Sequence, residues 1–520
     1  MIDSNPETAP RQWRRRLWVW VAATAVALAA LVQVIVTGPR VSVRWTDGLS
    51  DAARTALEQR YSLLAGRRDG GQVWRYELRD TSSGNIGALI GDPAVADTNY
   101  VDRSRLTADP TTVSVGIRPL PFPFSTDAEF DRLDQLLQPQ SLCALVAAVA
   151  LLLLAKRGDV HRRAGGVLVL LVFAMAAYAL PLSPELIDMG DSGTYISSRA
   201  NFEYYAGVRD IRYEAHLSYA ILGRLYRLFG RSEMAPARAL DLLMRIATAS
   251  FVLSALATGF VERWSPQVLR YLGLILMAPS TLLFFGYREL GHLSLSVAAF
   301  PLFARGVKAG APRLEASAAL MGLGAAFHGF GLLSLAGSCL AVLTARVSWH
   351  ARLWTVLRLV AWGTAAYVGW IAIYLIVLNL PVTQGHADAI PWRPWLVDRI
   401  VEDRVNVAIL SATGMRDLLF TAWVVGAPLL VLAARLRQEH GDEVRLMLCY
   451  AVPSVVFSIA FWPIQGLGAE MDLLVAAFPA FYALAWVCAL DRRVTTVAAV
   501  LLASAHIAFW RILLDGRFLN

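Results

Sequence analysis

Charge is scarce in this chain. Only 17% of its 520 residues are Asp, Glu, Lys or Arg, and 56% are hydrophobic, against roughly 25% charged in an average soluble domain. Lysine is almost missing. Lys156 and Lys308 are the only two, and every other base is arginine; with abundant alanine, that bias points to a GC-rich bacterial genome. The cysteines Cys143, Cys339, Cys449 and Cys488 are far apart, each inside an apolar run. That spacing excludes a disulfide framework and a zinc motif. No Walker A loop, dinucleotide fingerprint or HExxH helix occurs, so ATP-driven transport and zinc proteolysis lack support. No internal repeat is evident, and the inverted-repeat pattern of many secondary transporters is not visible. The formal net charge of +8 does not imply nucleic acid, because the arginines sit in short segments between apolar runs, where the positive-inside rule puts them.

What is present is a series of long apolar runs, and the mean hydropathy is +0.49. Arg14, Arg15 and Arg16 precede an apolar run from Leu17 to Val36, which reads as an uncleaved anchor with a cytoplasmic N-terminus rather than a signal peptide. Further runs lie near 141–155, 166–182, 240–261, 267–286, 290–306, 314–345, 354–380, 418–434, 446–463, 471–490 and 495–514. The run at 314–345 is long for one span and is interrupted by Phe327-His328-Gly329-Phe330-Gly331, so the expectation is a break there. The total is then about thirteen passes. With the break, the basic segments around Lys156, Lys308, Arg352, Arg437 and Arg492 all fall on the cytoplasmic side. The expected fold is an all-α polytopic protein of a bacterial inner membrane, with a small α+β extracytoplasmic domain between its first two helices.

The expected organisation is a cytoplasmic tail and anchor over 1–37, the outer domain over 38–140, a second span and cytoplasmic loop over 141–165, and a transmembrane core over 166–520. In the outer domain VSVRW, VWRYEL and TVSVGIR alternate as strands, while DAARTALEQRYSLL has helical spacing. That order suggests a ferredoxin-like α+β unit. The core carries two sizeable outer loops, 183–239 and 381–417.

Candidate chemistry concentrates in those loops and in the short outer turns. Asp188 and Asp191, with Tyr195, follow directly after an apolar span. Carboxylates at that depth are costly unless solvated, paired or functional, although Asp-Ser-Gly is also ordinary turn chemistry. The segment His216–Phe229 is amphipathic, with Leu217, Ile221, Leu225 and Leu228 on one face and Arg224, Arg227 and the following Arg231 as a basic stripe. Such a helix lies along a membrane interface and would hold lipid phosphates or ordinary headgroups. Arg288, Glu289 and His292 sit between two spans, His328 sits in the interrupted run, and Arg404 lies near Trp392 and Trp395 in the second loop. Each has a structural alternative: a self-satisfied ion pair, a buried core histidine, an interfacial anchor.

A transmembrane helix, an outer loop opening on Asp188 and Asp191 with Tyr195 beyond, interfacial basic helices and then further spans together resemble the GT-C superfamily of membrane glycosyltransferases. The likeness covers about 166–514 and rests on one short motif plus architecture; residues 1–155 are an addition to the simplest plan of that family. The resemblance implies a polyprenyl-phosphate-linked sugar donor, a glycan, lipid-linked or protein acceptor, and an Asp in the first loop as catalytic base. Asp191 best matches that role. Arg288, Glu289, His292, His328, Tyr195, Arg224 and Arg404 are then the candidates for donor phosphate and substrate. Two adjacent acids, the usual pattern, are absent. Metal use therefore stays open, with Asp188 and Asp191 as the residues that would bind a divalent ion; no cofactor is otherwise implied. The rival readings are a polymerase or ligase using lipid-diphosphate donors through the 381–417 loop, a transporter or flippase, and a scaffold displaying the 38–140 domain.

Overall fold

The computed structural model describes residues 40–46, 48–70, 73–78, 88–89, 92–98, 139–179, 211–212, 225, 228, 235–283, 291–309, 311–345, 347–373, 382–383, 399–401, 404–406, 410, 422, 426–460 and 476–514. The protein is mostly helical. It divides into two compact units, Met1–Ser114 with Arg118–Leu133, and Val115–Ile117 with Asp134–Asn520.

The first unit contains strand β1 (Arg40–Trp45), helix α1 (Asp51–Arg60) and strands β2 (Leu63–Gly70), β3 (Val73–Leu78) and β4 (Val95–Thr98). The sheet order is β2-β3-β1-β4, with each neighbouring pair antiparallel. That is the strand order of a ferredoxin-like sheet. Ser50 caps α1 by accepting from the Ala53 N–H, leaving that donor satisfied at the helix start. The helical spacing read through Leu64 stops early: α1 ends at Arg60, and Leu63 and Leu64 open β2 instead. Ser62 at φ 54° makes the reversal. Strand β4, in a Gly- and Asp-rich stretch, has no sequence signature. The predicted strand at 112–118 lies outside the described residues, as does the 17–36 anchor.

Two sets of polar bonds lie in this unit. The Trp45 indole donates to the Tyr76 hydroxyl (2.9 Å), which donates to Glu58 Oε1 (2.8 Å). Tyr61 donates to Asp92 Oδ2 (2.5 Å), and Asp92 Oδ1 accepts from the Ala94 N–H (2.8 Å). Burial pushes the Tyr76 hydroxyl pKa well up, and its donation to Glu58 adds to the effect.

The second unit is a helical bundle. Among the described residues its helices are α2 (Pro139–Leu154), α3 (Asp159–Ala179), α4 (Ala235–Val261), α5 (Pro266–Met277), α6 (Ser280–Leu283), α7 (Gly291–Ala309), α8 (Ala311–Phe327), α9 (Gly331–Leu343), α10 (Trp349–Ala372), α11 (Pro428–Arg435), α12 (Gly441–Ala460), α13 (Phe478–Cys488) and α14 (Arg492–Leu514). Short strands β5 (Ile211–Arg212), β6 (Val382–Thr383), β7 (Arg399–Val401) and β8 (Arg404–Asn406) lie in the connections. The sequence-predicted break at 328–330 is present between α8 and α9.

Helices pack closely where glycine removes the side chain. A methyl at Gly322 on α8 would overlap the Gly363 carbonyl on α10, and one at Gly337 on α9 would overlap the Tyr450 carbonyl on α12. Among the described residues, two helices, α3 and α10, are long and apolar enough to cross a membrane by length and composition, beside the about thirteen passes counted from hydropathy. The other helices are shorter or less apolar; α4 carries Arg238, Asp241 and Arg245 near its start. Both α3 and α10 turn much of their apolar surface outward. Leu168, Leu171, Val172 and Met175 are exposed on α3, and Trp354, Leu357, Trp362 and Val368 on α10.

One end of the bundle is tied together by ions. Glu262, just after α4, has a largely covered side chain that faces both Arg305 Nε of α7 (3.0 Å) and Arg313 of α8 (3.6 Å). Arg305 also donates to Gln267 of α5 (3.2 Å). Lys308 of α7 pairs with Glu443 of α12. Burial raises the Glu443 carboxyl, but the Lys308 ammonium bonded to it outweighs this and holds it below its usual range. Arg162 of α3 donates to the Trp264 carbonyl (3.2 Å). So α3, α4, α5, α7, α8 and α12 share a basic end. The Trp264 indole sits between α3 and α4: a methyl at Gly166 would meet its Cε3 at 2.5 Å, and one at Gly259 its Cζ2 at 2.5 Å.

Candidate functional site

Helices α7 and α8 form a hairpin with one intervening residue, and α8 turns into α9 across three residues. The start of α7 and the α8–α9 break therefore lie at the end opposite the ionic network. A helix of 19 residues such as α7 separates the two ends by roughly 28 Å at 1.5 Å per residue.

The two long connections are joined to each other. β5, inside 183–239, pairs in parallel with β6, at the start of 381–417: Ile211 lies opposite Val382 and Arg212 opposite Thr383. Farther along the second connection, β7 and β8 form a hairpin with Arg399 opposite Asn406, Ile400 opposite Val405 and Val401 opposite Arg404. A ladder of two residues per strand is not stable alone. Nothing in the sequence marks the pairing, since Ile-Arg and Val-Thr are too short to carry a period.

His328 is the candidate whose side chain is described. Its N–H bonds the Gly324 carbonyl (3.0 Å), ending α8, and its carbonyl accepts the Gly331 N–H (2.9 Å), starting α9. Its Nδ1 accepts the Phe330 N–H (3.3 Å). An accepting Nδ1 makes this the neutral ring with its proton on Nε2. The ring is buried against Phe330, centroid to centroid 4.2 Å, and Phe330 in turn meets Phe457 of α12 at 5.1 Å. His328 thus satisfies backbone that the break would leave open.

His292 lies in the first turn of α7, and Arg404 opens β8. Asp188, Asp191, Tyr195, Arg224, Arg288 and Glu289 lie outside the described residues. The structure therefore joins the two connections that carry the acidic motif and Arg404 and sets His328 and the start of α7 at one end of the bundle. Among the described residues no group of three or more His, Cys, Asp or Glu is arranged to hold a metal.

Three polar features escaped the sequence reading. Glu262 is one. Its signal was available: a lone carboxylate in an otherwise basic connection. Trp264 is another, held at φ 51° after Arg263 at φ 54°, a conformation composition does not announce. The third is His506, fully buried inside the last apolar run, with Nε2 3.1 Å from Ser141 Oγ of α2. That contact ties the last helix to the first of the bundle.

Comparison with family models, with curated proteins and with solved structures finds no match to this chain.

Proposed function

We propose that this chain is a polytopic protein of a bacterial inner membrane and a glycosyltransferase of the GT-C type. Several observations support the membrane placement. Outward-facing Leu, Val, Met and Trp cover α3 and α10, where water would penalise each by roughly 1.5–3 kcal/mol relative to burial. Glycine-mediated backbone approaches at Gly322 and Gly337 are the packing that helices use in lipid, where no hydrophobic force drives them together. Most of the described cations of the bundle lie at one end, including Lys156, Arg162, Arg305, Lys308, Arg313 and Arg492, which is in keeping with a cytoplasmic face.

The observation that carries the transferase reading is the β5–β6 pairing. It links the connection that holds Asp188 and Asp191 to the one that holds Arg404, which supports reading them, with the α8–α9 break and the start of α7, as one site. In the proposed reaction an acceptor hydroxyl oxygen attacks the anomeric carbon of a polyprenyl-phosphate sugar. Asp191 takes the hydroxyl proton. The carbon–oxygen bond to the lipid phosphate breaks, and the phosphate leaves with the electron pair, inverting the anomeric centre. That leaving group is already a stable anion and needs positive charge rather than a general acid; Arg288, Arg224 and Arg404 are the residues to supply it. Glu289, His292, His328 and Tyr195 complete the candidate set.

The test is transfer from a polyprenyl-phosphate sugar by wild type and Asp191→Asn at matched expression. General-base catalysis contributes roughly 10²–10⁴-fold, so turnover is expected to fall by about that factor with folding intact. Full activity in the Asn variant removes Asp191 as the base and moves the assignment to Glu289.

A further inference from the structure

Away from the proposed catalytic end, α2, α5 and α14 enclose a cleft of about 620 Å³. Its cations all lie at one extremity: Lys156 just after α2, Arg270 in the first turns of α5, and Arg492 at the start of α14. This extremity belongs to the basic end, since Arg270 donates to the Leu490 carbonyl (3.2 Å) and Gln267, one turn away, donates to the Trp486 carbonyl (3.3 Å). Among the described residues none of the three cations forms an ion pair. No carboxylate lines the cleft. Asp491 is near enough to act on Arg270 through space, but its Oδ1 accepts the Arg493 and Val494 N–H groups at the start of α14.

The rest of the lining is apolar. Leu145, Val149 and Leu153 come from α2, and Ala499, Val500 and Ala503 from α14, with Thr495 and Thr496 next to the cations. From Arg492 to Ala503 along α14, and equally from Lys156 back to Leu145 along α2, the chain advances roughly 16 Å at 1.5 Å per residue. That is about one leaflet of a hydrocarbon core roughly 30 Å thick. A free phosphate uses the cationic extremity and leaves the apolar length empty. An uncharged lipid uses the apolar length and leaves unpaired cations beside it.

We infer that this cleft is a binding site for an anionic glycerophospholipid of the inner leaflet, its headgroup phosphate at Lys156, Arg270 and Arg492 and an acyl chain along α2 and α14. Clefts of this kind between helices on the cytoplasmic side are suited to anionic headgroups. The inference rests on the membrane placement proposed above and is independent of the transferase chemistry.

The test uses the full chain. Its distribution between the soluble and membrane fractions is measured first, and the detergent-purified protein is then titrated with dioleoylphosphatidylglycerol, dioleoylphosphatidylcholine or inorganic phosphate while the melting midpoint is followed. Phosphatidylglycerol is expected to raise the midpoint saturably, and the other two are expected to do little. Because Arg270 also holds the Leu490 and Pro266 carbonyls, the informative variant is Lys156→Gln with Arg492→Gln. It should bind phosphatidylglycerol roughly tenfold to a hundredfold more weakly while melting as wild type without lipid. Arg493→Gln, whose side chain is outside the cleft lining, should respond as wild type. An equal response to phosphatidylcholine, the same response from inorganic phosphate, or an unchanged response in the double variant overturns the lipid site alone. Recovery of the chain in the soluble fraction without detergent overturns the membrane placement and the lipid site with it.

Discussion

Replacing Gly259 by alanine tests the Trp264 clamp. The new methyl would sit 2.5 Å from Cζ2 of an indole that is almost fully buried, where carbon–carbon contacts favour about 3.5–4.0 Å. The ring would have to retreat by roughly 1 Å. It cannot retreat toward α3, because Gly166 already gives up its side chain to admit the other edge. Nor can the backbone follow easily: the Trp264 N–H is bonded to the Gly259 carbonyl (2.7 Å) and its carbonyl is held by Arg162. Overpacking of this kind costs about 1–3 kcal/mol, and alanine returns about 0.5–1 kcal/mol of helix propensity, so a net loss centred on about 1 kcal/mol, and up to about 2.5 kcal/mol, is expected. Melting of detergent-purified protein, with Gly369→Ala alongside, provides the comparison. A methyl at Gly369 meets nothing within 4 Å, so that variant should match or exceed wild type. In a Trp264→Leu background the penalty at Gly259 should largely vanish, since the pair is in contact. Equal melting of Gly259→Ala and Gly369→Ala, or a penalty that survives Trp264→Leu, refutes the reasoning.

Other expectations follow from particular groups. His328→Ala should lower stability by about 1 kcal/mol through loss of the acceptor for the Phe330 N–H, whereas His328→Asn, whose Oδ1 can take that bond, should lose less; melting of the two variants decides it. Burial and donation to Glu58 raise the Tyr76 hydroxyl above its unfolded value of 10.0. Its contribution to stability is therefore full below pH 10.0 and lost as pH rises through the folded value. Melting midpoints measured between about pH 9 and 12 should fall less steeply in Tyr76→Phe than in wild type. If the acidic motif and the 38–140 domain both face outward, cysteines placed at Ser125 and Ser192 should both react with an impermeant reagent in intact cells; labelling of only one breaks the span count.

Long-period signals were legible and short or relational ones were not. Alternation in VSVRW and VWRYEL became β1 and β3, and the Phe-His-Gly-Phe-Gly interruption became the α8–α9 break, because each encodes a local backbone preference. The tail of α1 misled because Leu63 and Leu64 continue a helical spacing that the sheet overrides. β4 was invisible for the opposite reason: Val-Ala-Asp-Thr has no preference of its own and becomes a strand only beside β1. The role of His328 split in two. Its position in a break could be read, but its bond to the Phe330 N–H could not, since that depends on how α9 restarts. Glu262 and His506 lie in the same class, for a buried polar group declares itself only through the partners that tertiary structure brings.

The β5–β6 ladder also sets a schedule. Val382 follows Ile211 by 171 residues, and α4 through α10 are made in between. At about 5–20 residues per second, a nascent chain spends roughly ten to thirty seconds with Ile211 and Arg212 synthesised and their strand partner still to come. The confluence of the two loops thus closes only after Glu262, Arg305 and Arg313 of the charged end have been made. A chain arrested before residue 382 can hold α4 through α10 and the Glu262 ties to Arg305 and Arg313, yet it has no means of joining Ile211 and Arg212 to the second loop.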